Sequence, residues 1–298
     1  MSSQEADNGA VELVVLASGS SGNACLLRVD GFGLLIDAGL GPRKLVSQMK
    51  QMEIGWPDIQ GMILTHTHAD HWNDRTLGRL SKMDIPFYCH REHQHRLSRQ
   101  GSGFAQLRSA KLVRYYSEDQ PLTLPGDLIC HAVPVRHDSG AAFGFRLERQ
   151  QSLFASGWAM GFASDLGTWD QTVAEAFANV DWLALEYNHD VYLQRQSRRP
   201  WQLIERVLSD EGHLSNEQAA ELTTEIVNRS TPNRLQCLVQ LHLSRDCNRP
   251  HLAQESAESV FKKLSHPCEI HTADQNTPIR VSAAGKTNTK SGLTRGIS

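Results

Sequence analysis

The apolar positions of this chain fall mostly into short closed runs. Val11 to Leu16, Cys25 to Val29, Leu34 to Ile36, Pro86 to Cys89, Lys111 to Tyr115, Leu128 to Val135, Ala141 to Leu147, Trp158 to Ala163, Val180 to Leu185 and Leu235 to Leu241 are such runs. Bounded by Gly, Ser, Asp or Pro, they read as strands, and Asp30-Gly31-Phe32-Gly33 predicts a tight turn between two of them. Helical spacing appears at 42–53, with Pro42 in the first turn, and again at 72–83, 169–177 and 200–208. Two more helices are expected at 217–229, behind a Ser215 or Asn216 cap, and at 250–264. Cys268 to Thr272 predicts an edge strand, whereas 98–110, opened by Ser98-Arg99-Gln100-Gly101-Ser102-Gly103, predicts an exposed loop. Strands and helices intermingle throughout, which is an α/β (α+β) pattern. A single domain is expected over 11–283, with disorder in the polar residues 1–10 and the low-complexity tail 284–298.

Composition narrows this little. With 298 residues the chain can bury a large core, and 40% hydrophobic and 21% charged residues describe an ordinary globule. Six cysteines are scattered without a CxxC pair, so buried free thiols and a reducing, cytoplasmic setting are expected. No apolar run reaches membrane-span length, and no membrane partner is expected. The net charge of −3 lacks the footprint of a strongly basic nucleic-acid binder. Bound cations would still draw a phosphodiester locally.

The chemistry concentrates in Ile63-Leu64-Thr65-His66-Thr67-His68-Ala69-Asp70-His71. Imidazole and carboxylate are the ligands that borderline divalent ions prefer. Side chains two apart on an extended segment share a side, so His66 and His68 can meet one metal. If a helix follows, Asp70 and His71 swing toward a second. Asp37, at a strand end, suits either a turn or a hydrogen bond to the ligand loop from behind. His90, His93 and His95 form a second cluster that reads as a solvated helix start, since no carboxylate follows at metal-site spacing. Asp165 at the end of a strand is equally suited to bridging two metals or capping a helix.

His66-Thr67-His68-Ala69-Asp70-His71 resembles the signature of the metallo-β-lactamase superfamily. That resemblance implies an αββα four-layer sandwich with the metal site at one edge of its two sheets. Ser18-Gly19-Ser20-Ser21-Gly22-Asn23, Glu186-Tyr187-Asn188-His189-Asp190, Gly212-His213-Leu214-Ser215-Asn216 and His242-Leu243-Ser244, with Asn248 and Pro250, together resemble the YycJ/WalJ group. That group is associated with exonuclease action on DNA, and the order of the later motifs is also similar to ribonuclease Z. The chain departs from the group's pattern at Tyr187 and Leu166 and lacks the long insertion of ribonuclease Z.

The resemblance implies two divalent metal ions, Zn2+ or Mn2+ with Fe2+ also compatible. His66, His68, His137 and Asp165 are assigned to one, and Asp70, His71, Asp165 and His242 to the other. It further implies a metal-activated water attacking phosphorus, with Asp70 in the catalytic set, His213 as general acid and Glu186 orienting it. Asn188 and His189 stand at the substrate or metal rim. The expected substrate is nucleic acid, DNA first. A small-molecule hydrolase of the same fold (cyclic phosphodiesterase, thioesterase or lactonase) is the alternative.

Overall fold

The computed structural model describes residues 11–150 and 157–282. The segments expected to be disordered, 1–10 and 284–298, lie outside the described residues. The strands in chain order are β1 (Val11–Ala17), β2 (Ala24–Val29), β3 (Phe32–Ile36), β4 (Gly61–Ile63), β5 (Phe87–His90), β6 (Val113–Tyr116) and β7 (Leu122–Leu124). They continue with β8 (Leu128–Pro134), β9 (Phe143–Arg149), β10 (Trp158–Ala163), β11 (Trp182–Glu186), β12 (Cys237–Leu241), β13 (Glu269–Thr272) and β14 (Ile279–Ser282). The helices are α1 (Pro42–Gln51), α2 (Asp74–Lys82), α3 (His93–Arg99), α4 (Gly103–Ser109), α5 (Gln171–Ala176), α6 (Val191–Arg195), α7 (Trp201–Leu208), α8 (Asn216–Arg229) and α9 (Pro250–Leu264).

Among the described residues these strands make two sheets, ordered β14-β1-β2-β3-β4-β5-β6 and β13-β12-β11-β10-β9-β8-β7. Each is antiparallel in one half and parallel in the other, the parallel halves being β3 to β6 and β10 to β13. Parallel neighbours need crossovers, and the helices supply them.

The continuous apolar runs follow from burial on both faces. In β1, Leu13 and Val15 point into the core between the sheets, while Val14 and Leu16 pack under the helices. Leu45, Met49, Leu77, Leu80, Phe104 and Leu107 cover the first sheet, and Ala219, Leu222, Ile226, Ala253 and Ala257 cover the second. The result is the αββα sandwich. Truncating one of these fully buried leucines to alanine costs about 2–5 kcal/mol.

Most predicted elements appear within a few residues of their expected bounds. The expected helix 72–83 starts only at Asp74, because Asn73 caps it by accepting from Arg75 N at 3.1 Å and Thr76 N at 3.3 Å. Asp70 and His71 therefore sit in a turn closed by His71 N donating to His68 O at 3.0 Å. Residues 98–110 are not an exposed loop: the Gly/Ser stretch only joins α3 to α4, whose Phe104 and Leu107 are buried. Gly103 N donates to Asp74 Oδ1 at 2.7 Å, seating α4 on α2. The solvated reading also fails for His93, which is 2% exposed. Its Nε2 donates to Ala141 O at 3.0 Å, and burial pushes its pKa down to about 4. All six cysteines are free and five are buried. No helix among the described residues is long and apolar enough to cross a membrane.

Candidate metal centre

The loops that leave β4, β8, β10, β11 and β12 meet at one edge of the sandwich, carrying His66 to His71, His137, Asp165, Glu186 at the end of β11, and His242. The ligand atoms of His66, His68 and His137 lie within 4.8 Å of one another, as do those of Asp70, His71 and His242. Asp165 stands between the two groups. It is within the same reach of His66 and His71 on one side and of Glu186, His213 and His242 on the other. His71 Nε2 is 3.1 Å from Asp165 Oδ2, and His242 Nδ1 is 3.1 Å from Asp165 Oδ1.

Each imidazole is held from behind, which decides its tautomer. Asp37 accepts from Thr65 N at 2.8 Å and from Thr65 Oγ1 at 2.7 Å, and His71 Nδ1 donates to it at 2.7 Å. With its hydroxyl proton on Asp37, Thr65 Oγ1 can only accept from His66 Nδ1, 3.0 Å away. His137 Nδ1 donates to Gly212 O at 2.9 Å, and His242 Nδ1 to Glu186 Oε1 at 2.9 Å. His68 turns the other way: its Nε2 faces Asp138 Oδ1 at 3.3 Å and its Nδ1 lies 3.2 Å from His137 Nε2. One nitrogen of every ring is thus occupied and the other points inward.

That inward set fits divalent cations. Among the described residues, His66 Nε2 and His242 Nε2 are buried with no hydrogen-bond partner, a costly state unless a cation completes them. The electrostatics agree. Burial raises the Asp165 carboxyl, but His242 and His71 overcome this and hold it well below the usual range. Burial lowers His71 and His242, yet Asp165 with Asp37 lifts the first well above its ordinary value, and Asp165 with Glu186 lifts the second to about 9. Burial and the neighbouring His71 drive His66 well below its ordinary value, and burial with His137 takes His68 to about 4. Carboxylates that draw protons onto two imidazoles exert the field that metal ions neutralise.

Two left-handed residues support the centre. His242 and Asp37 adopt left-handed φ values of 55° and 59°. The first is held by its N–H donating to Ser18 Oγ at 2.7 Å and its carbonyl accepting from Asn188 Nδ2 at 2.8 Å. Gly39 packs so closely on the ligand turn that a Cβ there would lie 1.7 Å from Asp70 O.

Glu186 is fully buried and ties two histidines together: Oε1 accepts from His213 Nδ1 at 2.8 Å and from His242 Nδ1. Oε2 accepts from Leu166 N at 2.9 Å and Leu214 N at 3.2 Å. His213 and Asn188 line a cleft of about 620 Å³ with Asp70, Asp165 and His242. His189 does not line it. That ring is 1% exposed with both nitrogens unpartnered among the described residues, and burial takes its pKa to about 4. Three contributors were given no role from sequence: Asn23, whose Nδ2 is 2.9 Å from His71 Nε2, then Thr65 and Asp138. Asn23 and Thr65 lay inside quoted motifs, but their contacts span tens of residues and left no local signal.

The family of this fold is settled by comparison: residues 33–232 match the model of the Beta-lactamase superfamily domain. The chain belongs to that superfamily and is a metallo-β-lactamase-fold hydrolase. Exodeoxyribonuclease WalJ of Streptococcus pneumoniae serotype 2 is 30% identical over 240 residues, covering 80% of this chain and 84% of that protein. Exodeoxyribonuclease YycJ of Bacillus anthracis is 29% identical over 279 residues, covering 90% and 97%. Among solved structures, the metallo-β-lactamase fold protein YhfI from Bacillus subtilis superposes with a TM-score of 0.64 at 16% identity, over 91% of this chain and all of that one. The short form of human tRNase Z superposes at 0.58 and 17% identity, over 90% and 98%. The two structures share the fold.

Proposed function

We propose that this hydrolase is a dinuclear-metal phosphodiesterase that acts on nucleic-acid ends, DNA first. The observation that carries the reading is the Glu186 carboxylate shared by His213 and His242 at the wall of the cleft. It joins a proton donor to a metal-ligand set, which phosphodiester hydrolysis needs when its leaving group is an alkoxide. The names of the WalJ and YycJ relatives support nucleic acid as the substrate.

His66, His68, His137 and Asp165 would hold one cation, and Asp70, His71, Asp165 and His242 the other. When bound, the two ions supply positive charge for the non-bridging phosphate oxygen and lower the pKa of water. The chain does the rest. Asp165 would belong to both sets, and Asp70, with its side chain a quarter exposed at the cleft, would orient the attacking water. Glu186 keeps a proton on His213 Nδ1, which aims Nε2, on the opposite edge of the ring, at the leaving oxygen.

The test is His213→Ala in the metal-loaded full chain, assayed on end-labelled single-stranded and duplex DNA, RNA and small phosphodiesters. Turnover of DNA by the unmodified protein, reduced about 10²- to 10⁴-fold in the variant with metal content unchanged, is expected. Turnover confined to small esters, unaffected by competitor DNA, would replace this reading with the small-molecule alternative.

A further inference from the structure

One wall of the cleft, formed by α7 and the Arg199 that precedes it, supplies neither a metal ligand nor the proton donor to this chemistry. Residues 191–206, spanning α6 and most of α7, hold four arginines against the single acid Glu205, in a chain whose overall charge is −3. Two of them, Arg199 and Arg206, line the cleft alongside Asp70, Asp165, His213 and His242. Both are held in place by acids. Arg199 Nη2 donates to Asp246 Oδ2 at 3.0 Å and to Ser244 Oγ at 3.2 Å, and Arg206 Nε donates to Asp138. A guanidinium has five N–H donors, so these bonds fix each group while leaving donors for a ligand. Stability does not account for them, since ion pairs this exposed contribute little.

Their placement says what they take. Arg199 precedes the first turn of α7 and Arg206 lies in its last. Their acceptors stand on different loops, Asp246 beyond β12 and Asp138 beyond β8, so the two guanidinium groups are tethered at separate places on the wall and an occupant meeting both offers each its own anionic group. His213 N donates to Val207 O at 3.0 Å, which ties the proposed proton donor to the same wall.

We infer that Arg199 and Arg206 are two phosphate-binding points that select a nucleic-acid strand over a small phosphodiester. The identity of the strand rests on the phosphodiesterase reading. The two arginines and their separate tethers do not.

The test is binding of a fluorescent single-stranded octanucleotide to the full chain by anisotropy, in chelator so that nothing is cleaved. Arg199→Ala and Arg206→Ala should each weaken binding at least fivefold and flatten the slope of log affinity against log salt by about 0.7. Arg199→Lys should recover part of the loss, which excludes misfolding as its cause. A strand whose backbone is neutral methylphosphonate should bind the unmodified protein and Arg199→Ala alike. Variants that bind within twofold of the unmodified protein with the same salt slope would overturn the inference. Strand binding through both arginines, without cleavage of any phosphodiester by the metal-loaded protein, would keep this inference and reject the phosphodiesterase reading.

Discussion

Replacing Glu186 by Gln changes one atom at the point where proton donor and metal ligand meet. Oε2 accepts two backbone N–H bonds, from Leu166 and Leu214, and Oε1 accepts two imidazole N–H bonds. A glutamine has one oxygen to offer, and the paired backbone donors will claim it, which turns its NH2 toward His213 and His242. Both rings then face a donor with Nδ1 and must carry their proton on Nε2 instead. For His242 that is the buried atom 3.9 Å from Asp70 Oδ2, on the metal side. Each charge-assisted bond lost is worth about 1.5–3 kcal/mol. Partners behind a metal ligand typically govern 10- to 100-fold in affinity, or about 1.4–2.7 kcal/mol. The variant should therefore bind its weaker metal ion 10- to 100-fold less tightly in a competitive chelator titration. Turnover at saturating metal should fall as well, because a ring acting as acid carries protons on both nitrogens and the glutamine NH2 facing Nδ1 opposes that form. Near-UV circular dichroism checks that the fold is kept. Affinity and turnover both within twofold of the unmodified protein would refute the reasoning.

Three further perturbations probe the supports of the same centre. Asp37→Asn removes the acceptor that aligns His71 and Thr65, and metal affinity should drop about 10- to 100-fold; an unchanged chelator titration would count against that role. Gly39→Ala drives a methyl into Asp70 O, so the turn must shift at a cost of about 1–3 kcal/mol, and Tm should fall by roughly 2–10 °C with loss of bound metal. His93 is buried neutral with its pKa lowered to about 4, so the unfolded chain binds a proton below about pH 6.5 while the folded one does not. Its stability is present above that pH and is lost as pH falls toward 4. The loss between pH 7 and 5 is roughly 2 kcal/mol, on the scale of about 1.4 kcal/mol per pKa unit. Urea midpoints in chelator should show a smaller acid loss for His93→Gln than for the unmodified chain, and equal losses would contradict the assignment.

What the sequence disclosed, and what it hid, divides along the range of the interactions. The strands were readable because each is short, apolar and closed by a turn, and His66 to His71 because its ligands sit within six residues. α4 was hidden because its two core residues, Phe104 and Leu107, follow a Gly/Ser stretch that reads as loop. β14 was missed because its four residues acquire strand character only by pairing with β1 across the whole chain. The burial of His93 has a similar origin: its imidazole bonds to Ala141 O, forty-eight residues away. Glu186 was readable as a partner of His213, but its second bond, to His242, follows from the parallel pairing of β11 with β12, which no local pattern records. Asp138 was overlooked beside His137 because its link to His68 exists only after two distant loops converge.

The central claim is that seven side chains from four loops make one two-cation centre around Asp165. Its most direct test is elemental analysis of the full chain after loading with zinc or manganese and exhaustive dialysis, beside Asp165→Ala treated identically. The account predicts two metal ions per chain in the unmodified protein and one or none in the variant. A chain that retains no metal, or a variant that retains the full complement, would contradict it.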